Sequence, residues 1–157
     1  MHEVIYLMFN EGYLSAHAES AIRRDLCEEA LRLRTLLAED PVGAVPQTFA
    51  LLALMHLHVA RFAARVDDSG GLLLLEEQDR SRWDRDRMRV GAEWLARSAT
   101  GGTFSRYHAE AGIVAEHCFA PSFAQTRWRE IAELYEMLEQ VAPFLDHGQL
   151  SGTDIAR

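Results

Sequence analysis

The stretch QTFALLALMHLHVARFAARV, residues 47–66, decides the fold. Its apolar residues sit on nearly every side of a 3.6-residue helical wheel, which is the pattern of a helix surrounded by other helices. Pro46 stands just before it, where a missing N–H costs nothing, so the stretch reads as a central third helix with proline in its first turn. The apolar-rich run inside it, Phe49 to Ala64, is interrupted by His56, His58 and Arg61 and falls short of the roughly 20 residues that cross a bilayer. We therefore expect a helix core and no membrane association.

On the N-terminal side, Val4, Ile5, Met8 and Phe9 form an opening helical turn or two. The run NEGY follows, and Gly12 is expected to end this first helix in a cap or turn. A second helix is expected from Asp25, where Asp25 and Glu28 resemble a capping box. Leu26, Ala30, Leu33 and Leu37 make its stripe, and EDPVGAVP closes it. On the C-terminal side, Asp67, Asp68, Ser69, Gly70 and Gly71 read as a turn. Leu72 to Leu75 read as an extended segment tucked against the core. A fourth helix is expected from near residues 79–81, carrying Trp83, Met88, Val90, Trp94 and Leu95. A fifth covers residues 105–118 and stops at Ala120-Pro121, because a proline disfavours helix in the residue before it. The sixth carries Ala124, Trp128, Ile131, Tyr135, Leu138 and Ala142, and Pro143 ends it. Periodicity thus predicts an all-α fold of about six helices in stacked antiparallel hairpins, a tetratricopeptide-like bundle over residues 1–143, with residues 144–157 as a tail. No consistent tetratricopeptide residue pattern accompanies the spacing.

Composition narrows the function. The 157 residues carry 24 acids against 16 bases, a net charge of −8, and every base is arginine. Nucleic-acid binding is driven by basic groups displacing phosphate counterions, so direct DNA binding by this chain is not expected. Cys27 and Cys118 are far apart, and the opening residues lack a secretory leader pattern, which points to a reduced, cytoplasmic setting. Apolar residues in the tail, Phe144, Leu145 and Leu150, suit covering the end of the helical stack, and that face left uncovered predicts a homodimer or aggregation, because the end of a stack needs a polar cap.

Reactive groups are sparse. His56 and His58 lie two apart on a helix and diverge, so they suit core positions better than a shared metal. His108, Glu110, His117 and Cys118 supply ligand types on one helix, but His108 and Glu110 also diverge. No Gly-x-Ser-x-Gly elbow, phosphate-binding Walker loop or Gly-x-Gly-x-x-Gly turn occurs. The expectation is a protein without catalysis, metal or cofactor. The most unusual stretch is EEQDRSRWDRDRMR, residues 76–89. From Arg80 to Arg89 its five arginines face only Asp84 and Asp86, a local net of +3. It reads either as a solvated helix start laced with i, i+4 ion pairs or as a docking patch with Trp83 as anchor. Trp94 and Trp128 lie on regular stripes and read as core.

YLMFNEGY (residues 6–13), DLCEEALRL (25–33), LLALMHLHVARFAARVD (51–67), LLLLEEQDRSRWD (72–84) and TRWREIAELYEML (126–138) occur together in this order. In that combination the chain, over residues 4–143, resembles the C-terminal helical extension of extracytoplasmic-function RNA polymerase sigma factors, without their sigma-2 and sigma-4 domains. Val59, Phe119 and Arg127 stand where that family has acidic residues. The resemblance implies regulation of transcription through contact with sigma-2/sigma-4 domains or core RNA polymerase. The residues it carries over are Asn10, Glu11, Gly12 and Tyr13 in the first string, and Gln78, Asp79, Arg80, Arg82, Trp83 and Asp84 in the second. A rival expectation is a small-molecule sensor with a pocket between helices lined by Tyr13, His56, Trp83 and Tyr107.

Overall fold

The computed structural model describes residues 2–14 and 20–143. Among them the regular structure is helical: α1 (His2–Leu14), α2 (Ser20–Glu39), α3 (Pro46–Ala60), α4 (Arg85–Ser98), α5 (Arg106–Phe119) and α6 (Trp128–Val141). The fold is an all-α helical bundle, and no helix among the described residues is long and apolar enough to cross a membrane. The sequence-adjacent pairs α1–α2, α3–α4 and α5–α6 pack on each other, and α3 also touches α1, α2 and α5.

Helix α3 is central because its composition leaves it no polar side to turn outward. Ala50 through Ala53, Met55 and Leu57 are fully buried, and Pro46 opens the helix as the missing N–H requires. The helix ends at Ala60, short of the expected residue 66, and the chain continues as a single 3-10 turn over Phe62–Ala64. Gly91 lets α4 approach: a β-carbon there would stand 2.9 Å from Leu57 Cγ and 3.4 Å from the Ala53 carbonyl oxygen.

Two boundaries differ from the sequence expectation. The first helix runs through Asn10, Glu11, Gly12 and Tyr13 to Leu14, so FNEGY is helix and not a cap with a turn. An interior glycine costs about 1 kcal/mol relative to alanine. Burial of Ile5, Tyr6 and Phe9 against the bundle offsets that cost. The second helix starts at Ser20, so Asp25 lies inside it and caps nothing; Glu28 instead reaches across to α4.

The turn after α3 forms as expected. Asp67 Oδ1 accepts from the Ser69 and Gly71 N–H groups, each at 2.8 Å, and Gly70 takes a φ of 81° that other residues resist. Val66 and Leu72 pair in an isolated antiparallel bridge, and Leu75 enters the core at 1% exposure. The fourth helix begins later than expected. Residues 75–82 make two separate 3-10 turns, Leu75–Glu77 and Arg80–Arg82, before Asp84 caps α4 through the Arg87 N–H at 3.1 Å. Carboxylates that accept from nearby backbone N–H groups, Glu77 from Leu74, Asp79 from Ser81 and Asp84 from Arg87, favour such turns over continuous helix.

Candidate functional site

The candidate site is built on the segment from Gln78 to Asp84. Asp79 Oδ1 accepts from the Ser81 N–H at 3.0 Å and from its hydroxyl at 2.6 Å, which fixes the Arg80–Arg82 turn. Arg80 then crosses to the end of α5, where its Nη1 donates to the carbonyls of His117 (3.0 Å) and Ala120 (3.1 Å). Cations favour a helix C-terminus because the last carbonyls lack intrahelical partners. The same guanidinium lies 4.5 Å over the Trp83 ring. The Asp84 N–H donates to Ala60 O at 2.8 Å, so the segment is tied to α3 as well.

This anchoring corrects part of the docking expectation. Trp83 is 3% exposed and Gln78 6%, so both belong to the interior and neither stands ready as a contact anchor. Their burial has a simple cause: the 3-10 turns replace helix, and the indole swings under the turn toward α5. Asp79, Arg82 and Asp84 remain on the surface, and Arg80 is half-buried. Trp128 is corrected in the other direction. It opens α6 at 45% exposure, against Phe123 and His117, where periodicity predicted core. Trp94 does pack on the core, stacked at 5.5 Å on Phe49 with Arg97 over both rings.

Arg82, Asp84 and Arg87 join Arg24 and Glu28 of α2 around a shallow cleft of about 190 Å³ floored by Val59, Ala60 and Phe62. Arg87 Nη2 contacts both Glu28 carboxylate oxygens, at 2.7 and 2.9 Å, and joins α4 to α2. The cleft is therefore a mixed-charge surface with one internal pair and further ionic groups facing outward. The FNEGY string reaches the same end of α3: the Phe9 ring lies 6.3 Å from that of His58, and Phe9 O accepts from Cys27 Sγ at 3.5 Å. Asn10 is half-buried and Glu11 exposed, while the burial of Gly12 and the side chain of Tyr13 lie outside what is described.

Of the expected small-molecule pocket, the described members His56, Trp83 and Tyr107 are not brought together, and the Tyr13 side chain lies outside what is described. Tyr107 sits in the first turn of α5, edge-on to Tyr6 at 5.6 Å, whereas Trp83 lies at the opposite end of that helix beside Cys118 and Phe119. At 1.5 Å per residue the ends of α5 are about 18 Å apart. His56 is elsewhere again, under the fields of Arg87 and Glu28.

The titratable groups along α3 and α5 are mostly buried. Burial, with Arg87 adding to it, holds His56 down to about 4. Burial, with Arg61 and Arg80 adding to it, does the same for His117, also about 4. His58 is held well below its ordinary value by burial first and then by Arg61 and Arg65. The His108 Nε2 faces Ser98 O at 3.2 Å, and its Nδ1 accepts from the Ser105 N–H at 3.1 Å, so the ring is the neutral Nε2–H tautomer. Glu110, wholly buried, accepts from Tyr6 Oη at 2.9 Å and from Arg106 Nε at 2.9 Å. Among the described residues no three His, Cys, Asp or Glu side chains converge as a metal cage would require. Sequence reasoning missed Arg34. Its side chain is wholly buried, and none of its three nitrogens has a hydrogen-bond partner among the described residues. Burial lowers it to about 10.

No solved structure matches this chain. A protein of Rhizobium meliloti (strain 1021), described only as uncharacterized protein R00370, is 38% identical over 141 residues. The match covers 89% of this chain but 33% of that relative, so the chain spans about a third of the relative's length. Residues 1–99, which include α1 to α4 and the whole Gln78–Asp84 segment, match a family of unknown function, DUF6596. The chain belongs to the DUF6596 family.

Proposed function

We propose that this chain is a non-catalytic regulatory domain of a sigma-like transcription factor, working in the cytoplasm by contact with sigma-2/sigma-4 domains or core RNA polymerase. The observation that carries the reading is the Arg80–Asp84 turn, anchored by its buried members and presenting Arg82, Asp84 and the neighbouring Arg24, Glu28 and Arg87 on one surface. The five-string resemblance to sigma-factor extensions adds the partner class. An anchored charged surface recognises a protein partner through complementary charge at little ordering cost, because its backbone is already set. Spanning a third of a relative's length suits a module that acts beside other domains.

Regulation requires that docking differ in free energy between two arrangements of the partner. The test is transcription in vitro by core polymerase with a two-domain sigma fragment, with this chain added in excess. The reading predicts a change in promoter-dependent transcript yield that saturates with added chain. Unchanged yield at saturating chain contradicts it.

A further inference from the structure

A second cleft, of about 180 Å³, lies on the other side of the same turn, between it and the end of α5. Arg80, Trp83, Arg85, Cys118, Phe119 and Pro121 line it, and no carboxylate does. Its donors are left over. Arg80 uses Nη1 on two carbonyls, but its Nη2 is buried with no hydrogen-bond partner among the described residues. Trp83, 3% exposed, has an Nε1–H without an acceptor among them. Arg85 is exposed, and its contact is a 3.8 Å approach of Nη1 to the Met88 thioether, which leaves most of the guanidinium unused. Of the nearby acids, Asp79 accepts from Ser81 and Asp84 from the Arg87 N–H, and Asp86, beside Arg85 in the chain, is exposed and does not line the cleft. Cys118 supplies no counter-charge, because burial raises its thiol above the ordinary range despite three arginines nearby.

Buried donors normally find acceptors, and two guanidinium groups facing one cleft normally find an anion. We propose that this cleft is a phosphate-binding site, taking the phosphate dianion either free or as the monoester end of a small molecule. Charge decides between oxyanions: a phosphate dianion balances Arg80 and Arg85, whereas a carboxylate leaves one positive charge uncompensated. Arg85 opens to the cleft directly and its guanidinium matches phosphate well, whereas Arg80 Nη2 and Trp83 Nε1 are sealed from solvent in the cleft wall, so a phosphate oxygen reaches them by drawing the Arg80 side chain toward the cleft. The site does not depend on the transcription reading.

The test follows the three indole N–H resonances of the ¹⁵N-labelled full chain, with Trp94→Phe and Trp128→Phe assigning Trp83 by difference. Inorganic phosphate, glycerol phosphate and acetate are titrated separately at constant ionic strength. Phosphate is expected to move the Trp83 resonance to saturation, with acetate at least about tenfold weaker. Saturation by glycerol phosphate as well assigns the site to monoesters; saturation by inorganic phosphate alone assigns it to the free ion. Arg85→Gln, on an exposed side chain, should weaken phosphate by about tenfold, the worth of one charge-assisted hydrogen bond. Arg89→Gln, whose parent pairs outward with Glu93, should leave it unchanged. Failure of the Trp83 resonance to saturate overturns the proposal. So does equal affinity for acetate, or an Arg85→Gln variant that binds as the parent does.

Discussion

Arg34 shows how a single residue can stand against the stability of its surroundings. A guanidinium wholly buried without hydrogen-bond partners among the described residues has lost its water and gained little in return. Arg34→Met keeps the volume and removes the charge, and such replacements of buried charge are often neutral or stabilising. The variant should gain about 1–3 kcal/mol in urea unfolding; a loss of stability would show that the charge is compensated. Trp83 and Arg82, neighbours in the chain, should respond oppositely. Trp83→Ala should cost about 3–5 kcal/mol by the cavity it leaves, while Arg82→Ala should lie within about 0.5 kcal/mol of the parent. Equal thermal shifts for the two would refute the division between anchoring and presented residues.

Among the elements, α3 and α4 are held close by Gly91. Gly91→Ala sets a gain in helix propensity of about 1 kcal/mol against overpacking of about 1–3 kcal/mol where the new β-carbon meets Leu57. A net loss of about 1 kcal/mol is expected, and it should shrink when Leu57 is also cut to alanine, which a double-mutant cycle measures. Elements with strong apolar periodicity were legible in the sequence: α3 and its Pro46 start, the Asp67–Gly71 turn, α5, and the end of α6 near Pro143. Boundaries set by competing weak signals were not. Gly12 suggested a helix end, but tertiary burial of Phe9 and its neighbours outweighed one glycine. At α2 the capping-box pattern of Asp25 and Glu28 was coincidental, since Glu28 serves an ion pair with Arg87, 59 residues away. The charged segment stands out in the sequence as unusual, yet its inside and outside were not separable there. A 3.6-residue wheel places Trp83 on a helix face, and only the 3-10 turns bury it. The leftover donors of Arg80 and Trp83 had no sequence signal, because they depend on which carbonyls α5 brings to the turn.

For the whole molecule, the buried histidines set a pH dependence. His56 and His117 titrate near 4 in the fold, and His58 and His108 are also lowered by burial, whereas an unfolded histidine takes its proton near 6.5. The unfolded chain therefore binds more protons below 6.5, and stability falls as pH drops from about 6.5 toward 4. Each histidine that stays neutral in the fold contributes up to about 1.4 kcal/mol per pH unit over that window. Urea midpoints should fall steeply between those limits; a flat profile would contradict the placement of these rings. The central claim, that the anchored turn presents a docking surface for the transcription machinery, is tested most directly by binding. The purified chain is titrated in parallel against core RNA polymerase and a sigma-2/sigma-4 fragment, at low and at physiological salt. The account predicts saturable binding to at least one of them, weaker at higher salt and weakened further by Arg82→Ala with Arg24→Ala. Absence of binding to both at low salt, with the parent chain folded, would contradict it.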